Sequence, residues 1–255
     1  MSSSLNMDIF HSLFIHKAPA SASILHFEQT VEALIDELVL LPVAQENLMK
    51  VEMIFQTDKG DNHTPAFGLG SRPPTVFVVV RTQTVEQLGI VLAAQEVRKL
   101  AQKYKDLGIQ SAGFSMNVVP KIDRPAPDNG LHMVFVYDDP PELVASQNHL
   151  REFEETMRGF ALLPAIQKNF ARFEMWQSTD IVDRDVRDVG YSTQNRPTLY
   201  YATAKDIEAA KEMMSDTHTQ RYFASAAEGS EQFDPKKYGY AFVANVVTKL
   251  DHTKK

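Results

Sequence analysis

Leu40-Leu-Pro-Val-Ala-Gln-Glu-Asn-Leu-Met-Lys-Val-Glu-Met53 and Leu162-Leu-Pro-Ala-Ile-Gln-Lys-Asn-Phe-Ala-Arg-Phe-Glu-Met175 share a Leu-Leu-Pro start, a glutamine and an asparagine at matching places, and a Glu-Met end. Outward from this pair, three more matches keep the same order. His11-Ser-Leu-Phe-Ile-His-Lys-Ala-Pro19 reads against His132-Met-Val-Phe-Val-Tyr-Asp-Asp-Pro140, and Pro74-Thr75 against Pro197-Thr198. Asn117-Val-Val-Pro-Lys-Ile-Asp123 reads against Asn245-Val-Val-Thr-Lys-Leu-Asp251. The offset grows slowly, from about 121 to about 128, as small loop insertions would make it do. The chain therefore reads as two diverged copies of one unit of about 120 residues, 1–125 and 126–255. The proline, asparagine and glycine of Arg124 to Gly130 suit a connector.

Each copy can be read against the other. Leu13 to His16 and Val134 to Tyr137 are short β-branched and aromatic runs ahead of proline turns, and predict first strands. Ile24 to Leu40 and Leu143 to Ala161 carry apolar residues at three and four spacing, which predicts helices stopped by Pro42 and Pro164. Second strands are expected over Leu48 to Gln56 and Phe170 to Ser178, and third strands over Val76 to Arg81 and Leu199 to Thr203. Between them lie loops with Gly68, Gly70 and Gly190. A second helix follows over Val85 to Tyr104 and about Lys205 to Phe223, then a last strand over Gly113 to Ile122 and Gly239 to Leu250. This βαββαβ order is the ferredoxin-like arrangement of the α+β class, with helices on one face of an antiparallel sheet. Two bare sheet faces, buried against each other, would close a barrel within one chain.

The composition narrows the function classes. With 255 residues, 44% hydrophobic and 23% charged, the chain can bury a sizeable core. A net charge of −7 repels polyanions, and the pairs Lys236-Lys237 and Lys254-Lys255 are too small a basic patch to reverse that, so nucleic acid is not an expected partner. Cysteine is absent, which removes disulfides, thiolate nucleophiles and cysteine metal sites. Met1 to Phe10 has no signal-peptide pattern and no stretch approaches the roughly 20 apolar residues of a membrane span, so the expected address is the cytoplasm with no membrane partner. A barrel closed internally is compatible with a monomer or a homodimer.

The βαββαβ unit, the Leu-Leu-Pro step before the second strand and the histidine in the first strand resemble the dimeric α/β-barrel superfamily, its EthD-like members above all. The resemblance covers nearly the whole chain at the level of topology. It implies the barrel, and a site in a cleft between a sheet and its helices. Members include small-molecule monooxygenases, polyketide cyclases, decarboxylases and haem enzymes, so the resemblance leaves the reaction open.

Polar residues kept on apolar strands are the site candidates. His11 and His132 sit at the same entry to the first strand, as a general base or as strand-edge histidines bonded to backbone. His16 has Tyr137 as its counterpart, so the halves differ in chemistry at that point. The odd spacing of His11 and His16 sends them to opposite faces of a regular strand, and no metal site is expected. Glu52 and Glu174 share faces with Ile54 and Trp176, either as acid–base groups or in a cross-strand salt bridge, for example to Arg81. Asn117 and Asn245 could orient a ligand carbonyl or cap a strand edge.

Trp176, Tyr191, Tyr200 and Tyr201 stand where the first copy has Ile54, a loop residue, Phe77 and Val78, as a ligand wall or simply as core. Gly68-Leu-Gly-Ser-Arg-Pro73 lacks the residues of a phosphate loop, and no GxSxG or HExxH motif occurs. These residues and the resemblance point to a cofactor-independent enzyme with a histidine base, acting on a small hydrophobic, aromatic or polyketide-like molecule. Two alternatives stand beside it: a haem enzyme, for which helical His218 is the axial candidate, and a non-catalytic ligand-binding or stress-response protein.

Overall fold

The computed structural model describes residues 9–58, 73–127, 129–138, 147–228 and 239–253. The first repeat runs β1 (Phe10–Lys17), α1 (Ile24–Val39), α2 (Pro42–Asn47), β2 (Lys50–Thr57), β3 (Thr75–Thr82), α3 (Val85–Ala93), α4 (Gln95–Asp106) and β4 (Gln110–Asp123). The second runs β5 (Leu131–Asp138), α5 (Gln147–Ala161), α6 (Pro164–Asn169), β6 (Phe170–Thr179), α7 (Asp183–Asp188), β7 (Pro197–Ala204), α8 (Ile207–Ser215), α9 (Thr217–Glu228) and β8 (Gly239–Asp251). Gly68, Gly70 and the start of the expected helix at Leu143 lie outside the described residues.

The eight strands form a closed barrel in the order β1-β3-β2-β8-β5-β7-β6-β4. Each repeat contributes a ferredoxin-like sheet, and the antiparallel pairs β2–β8 and β4–β6 join the two. Alternation along each strand decides what goes inside. Leu13 and Ile15 of β1 meet Phe77, Val79, Phe114, Val134, Trp176 and Phe242 in the barrel interior, where Phe77 stacks on Phe242 at 5.6 Å. Phe14 points outward into a core shared with α1, α3 and α4, and Phe135 does the same in the second repeat. Full burial of such side chains contributes roughly 1.5–3 kcal/mol each.

Helix boundaries follow local chemistry with two additions to the expectation. Pro42 and Pro164 do end the long helices, but each also opens a short helix at its first turn, where a missing N–H costs nothing. The expected second helix is broken in both repeats, at Ala94 and at Asp216, which have extended backbone. Asp216 Oδ2 caps α9 by accepting from the Thr219 N–H at 2.7 Å, whereas no side-chain cap, proline or glycine marks the break at Ala94. Thr84 and Gln87 form a capping box on α3.

The strands β4 and β8 outrun their own sheets. Val119 and Ile122 of β4 pack in the second repeat's outer core, and Val247 and Leu250 of β8 pack in the first repeat's. Lys121 pairs with Glu154 of α5, and Lys249 with Glu32 and Asp36 of α1. The register correspondence also corrects the alignment of the third strands by one residue. Tyr200 and Tyr201 take the places of Val78 and Val79, rather than Phe77 and Val78, since Phe14 faces Val78 where Phe135 faces Tyr200.

Candidate functional site

His16 lies on the outward face of β1, beneath the helices of the first repeat, and is 2% exposed. It borders a cavity of about 60 Å³ whose other walls include Leu34, Leu38, Val78, Leu92 and Tyr104. Its Nδ1 is 2.9 Å from Ser111 Oγ on the neighbouring strand. The imidazole stacks on the Tyr104 ring at 4.4 Å and 12°, and Tyr191 meets it edge-on at 5.9 Å. Burial pushes the His16 pKa down to about 3, so the ring is neutral near pH 7. Burial raises both Tyr104 and Tyr191, which stay protonated, and the Tyr104 hydroxyl has no hydrogen-bond partner among the described residues.

Tyr191 comes from the second repeat. The segment expected as a plain loop contains α7, ended by Gly190 in the left-handed region at φ 82°, with Gly190 N–H bonded to Arg187 O and Tyr191 N–H to Val186 O. Val182, Val186, Val189 and Tyr191 then pack into the first repeat's outer core, so the cavity is closed by both halves of the chain.

The matching cleft of the second repeat is filled where it is described. Tyr137 takes the place of His16 and Tyr200 that of Val78, 2% and 0% exposed. Tyr200 stacks on Phe173 at 5.6 Å and meets Tyr137 edge-on at 6.1 Å. The larger side chains occupy the volume that Val78 and His16 leave open in the first repeat.

The other sequence candidates fall elsewhere. His11, His132, Glu52, Glu174, Trp176 and Tyr201 lie on inward-facing positions at one end of the barrel, apart from the cavity. Glu52 pairs with Arg81 at 3.0 Å and Lys50 at 2.7 Å, the cross-strand bridge foreseen for it. Glu174 lies 3.5 Å from Arg172 and accepts from the Trp176 indole N–H at 3.0 Å. The His132 Nδ1 is 2.7 Å from the Tyr201 hydroxyl, and Tyr201 stacks on Trp176 at 5.3 Å.

Burial, then Arg81, lowers His11 to about 4 against the opposing pull of Glu52, and burial is also the main cause that lowers His132. The His11 Nδ1 has no hydrogen-bond partner among the described residues. Asn117 and Asn245 are exposed where β4 and β8 cross between sheets and line neither the cavity beside His16 nor the one lined by Lys17 and Asp138. His218 is exposed on α9. Among the described residues, no group of three or more histidine, aspartate or glutamate side chains is placed to hold a metal.

A second, polar cavity of about 140 Å³ opens at the opposite end of the barrel, lined by Lys17, Ser111, Asp138, Ser192, Gln194 and Tyr240 among others. Burial raises the Asp138 carboxyl, and Lys17 opposes the shift. Sequence reasoning missed Ser111 and Tyr104. Tyr104 was readable as the buried face of α4 with Val97, Leu100 and Ala101, but its stacking on His16 is a tertiary fact.

No family model matches the chain, and no curated protein matches it in sequence. Solved structures do match in fold. An anthrone oxidase-like protein is similar over 95% of this chain and 94% of its own, at 7% identity and a TM-score of 0.56. A candidate monooxygenase of Fusobacterium nucleatum is similar over 93% of this chain and 92% of its own, at 9% identity and a TM-score of 0.50. This chain thus has a dimeric α/β-barrel fold, with both barrel halves in one polypeptide. No helix among the described residues is long and apolar enough to cross a membrane.

Haem does not fit the cavity beside His16. A dry cavity of about 150 Å³ holds one benzene ring, and a porphyrin is several times larger than the space of about 60 Å³ beside His16. The His16 ring also lies flat against Tyr104, with its Nδ1 committed to Ser111.

Proposed function

We propose that this protein is a cytoplasmic, cofactor-independent enzyme that removes a proton from a small hydrophobic molecule, with neutral His16 as the base. The observation that carries the reading is an imidazole fixed by one polar bond and one stacked ring at the wall of an apolar cavity. The His16 Nε2 takes the proton of a phenol O–H or of a C–H beside a carbonyl, and the electron pair left behind spreads over the ring or carbonyl system. Imidazolium and anion form together in contact, and their attraction in a low-dielectric pocket offsets the weak basicity that burial imposes.

Such an anion leads to cyclisation, decarboxylation or oxidation. Similarity in fold to an anthrone oxidase-like protein and a candidate monooxygenase favours oxidation with dioxygen as oxidant. In that reaction a CH₂ group becomes C=O, one oxygen atom enters the product and the other leaves as water. By the same measure the cavity of about 60 Å³ is smaller than the space one benzene ring takes, so a substrate ring requires it to widen, and a single ring requires the least.

A second reading is supported by the depressed basicity itself: a binding protein in which His16 only orients the ligand. The test is oxygen uptake and product mass spectrometry on phenol, resorcinol and anthrone, with binding followed by calorimetry. His16→Gln should cut turnover by about 10²–10⁴-fold, while His11→Gln, His132→Gln and Tyr137→Phe leave it intact. Turnover that survives His16→Gln refutes the base, and tight binding by a wild-type protein that turns nothing over supports the second reading.

A further inference from the structure

The apolar cavity and the polar one are linked by a hydrogen-bonded pair of side chains. His16 borders the first, Ser111 lines the second, and the 2.9 Å contact between His16 Nδ1 and Ser111 Oγ connects them. The contact is built into the ladder, because His16 of β1 and Ser111 of β4 are directly opposite in register. We infer that Ser111 is a positioning residue that holds His16 in the tautomer with hydrogen on Nδ1, so that the bare Nε2 serves the apolar cavity. This deepens the reading of His16 as a base and rests on it.

A count of donors selects the tautomer. With hydrogen on Nδ1, the ring donates to Ser111 Oγ, and the half-buried serine lines the polar cavity, where its own hydroxyl hydrogen is not confined to an apolar wall. The buried ring then keeps no N–H without an acceptor, and the group left over on it is a lone pair on Nε2. With hydrogen on Nε2, that N–H has no acceptor within hydrogen-bond distance among the described residues, and buried orphan donors are rarer than under-used acceptors. No other hydrogen bond of His16 competes among the described residues.

Two further observations agree. In the second repeat, Tyr137 stands opposite Gly239 where the first has His16 opposite Ser111, so both members of the pair are replaced together. The glycine offers no hydroxyl. The Ser111 backbone is also held in place, since Ser192 N–H bonds to Ser111 O at 2.9 Å and Gly113 N–H to Ser192 O at 3.0 Å. The segment that supplies Tyr191 therefore also clamps the strand that presents Ser111.

The experiment is nitrogen NMR of full-length protein labelled with ¹⁵N-histidine, with the His16 signals assigned by their loss in His16→Gln. Wild-type His16 should show a protonated Nδ1 and a bare Nε2. In Ser111→Ala the ratio should move toward the Nε2–H form by about fivefold, the equivalent of one neutral hydrogen bond of about 1 kcal/mol, and Ser111→Thr should restore it. A wild-type ring with hydrogen on Nε2, or a Ser111→Ala ring with the wild-type ratio, overturns the inference. On a turned-over substrate, Ser111→Ala should lower kcat in proportion to the fall in the Nδ1–H fraction read from the spectra, with KM unchanged, and a kcat that does not follow that fraction overturns the role in catalysis. If the tautomer behaves as stated while wild-type protein turns over no phenol or anthrone, the base reading fails and the tautomer assignment stands.

Discussion

Acid should destabilise this protein through one buried ring, and the size of the effect follows from where that ring sits. His16 titrates at about 3 in the folded chain against 6.5 for an unperturbed histidine. The folded state refuses a proton that the unfolded state accepts, so the stability tied to His16 is complete above pH 6.5 and is lost as the pH falls toward 3. Each unit is worth about 1.4 kcal/mol, which gives about 2 kcal/mol lost by pH 5 and about 4 kcal/mol by pH 3. For a chain of this size about 2 kcal/mol corresponds to a fall in Tm of about 4–8 °C between pH 6.5 and pH 5. His11 and His132 act in the same direction, so the comparison is with His16→Phe, which keeps a flat ring against Tyr104. Thermal and urea unfolding of both proteins between pH 4.5 and 7 would show a shallower slope for the variant by about that amount. Parallel slopes would mean that His16 is hydrated or paired in the folded state, and would refute the argument from burial.

Val78→Phe should place a ring where the second repeat has Tyr200, abolish phenol binding by calorimetry and cost about 1–3 kcal/mol from overpacking; binding that persists would put the ligand outside this cavity. Glu52→Gln removes the carboxylate shared by Arg81 and Lys50 at the barrel end. It should cost about 1–3 kcal/mol in urea unfolding, below the 3–5 kcal/mol of fully buried pairs because the group keeps some contact with solvent. Turnover should not change, since Glu52 does not border the cavity.

The barrel was legible because its cause is repeated. Strand alternation around Leu13 and Ile15, the Leu-Leu-Pro step and the paired β4 and β8 segments each occur twice, so every element could be checked against its twin. The split of His11 and His16 onto opposite faces followed from spacing alone, and the barrel interior and outer core separate them as the spacing requires. What was not legible depends on contacts between distant segments. Nothing in the run around Tyr191 says that it will leave its own repeat and cover the cleft of the other. Nothing in Gln110-Ser111-Ala112 marks that serine as a histidine partner, because the pairing is set by register across 95 residues of chain. Tyr200 and Tyr201 were misplaced by one residue because the Pro-Thr pair used for alignment is not in equivalent register. The exposure of Asn117 and Asn245 follows from strands that overrun their sheets, and a strand's length relative to its neighbours is not local information.

The reach of α7 and Tyr191 across the molecule bears on how such a chain can diversify. In an assembly of identical subunits, every substitution appears at both sites at once, and a change that improves one pocket must be tolerated by its twin. A fused chain is free of that constraint. One half can surrender its histidine and serine to tight aromatic filling and lend an arm to the other, so a single pocket is refined with the mass of two behind it.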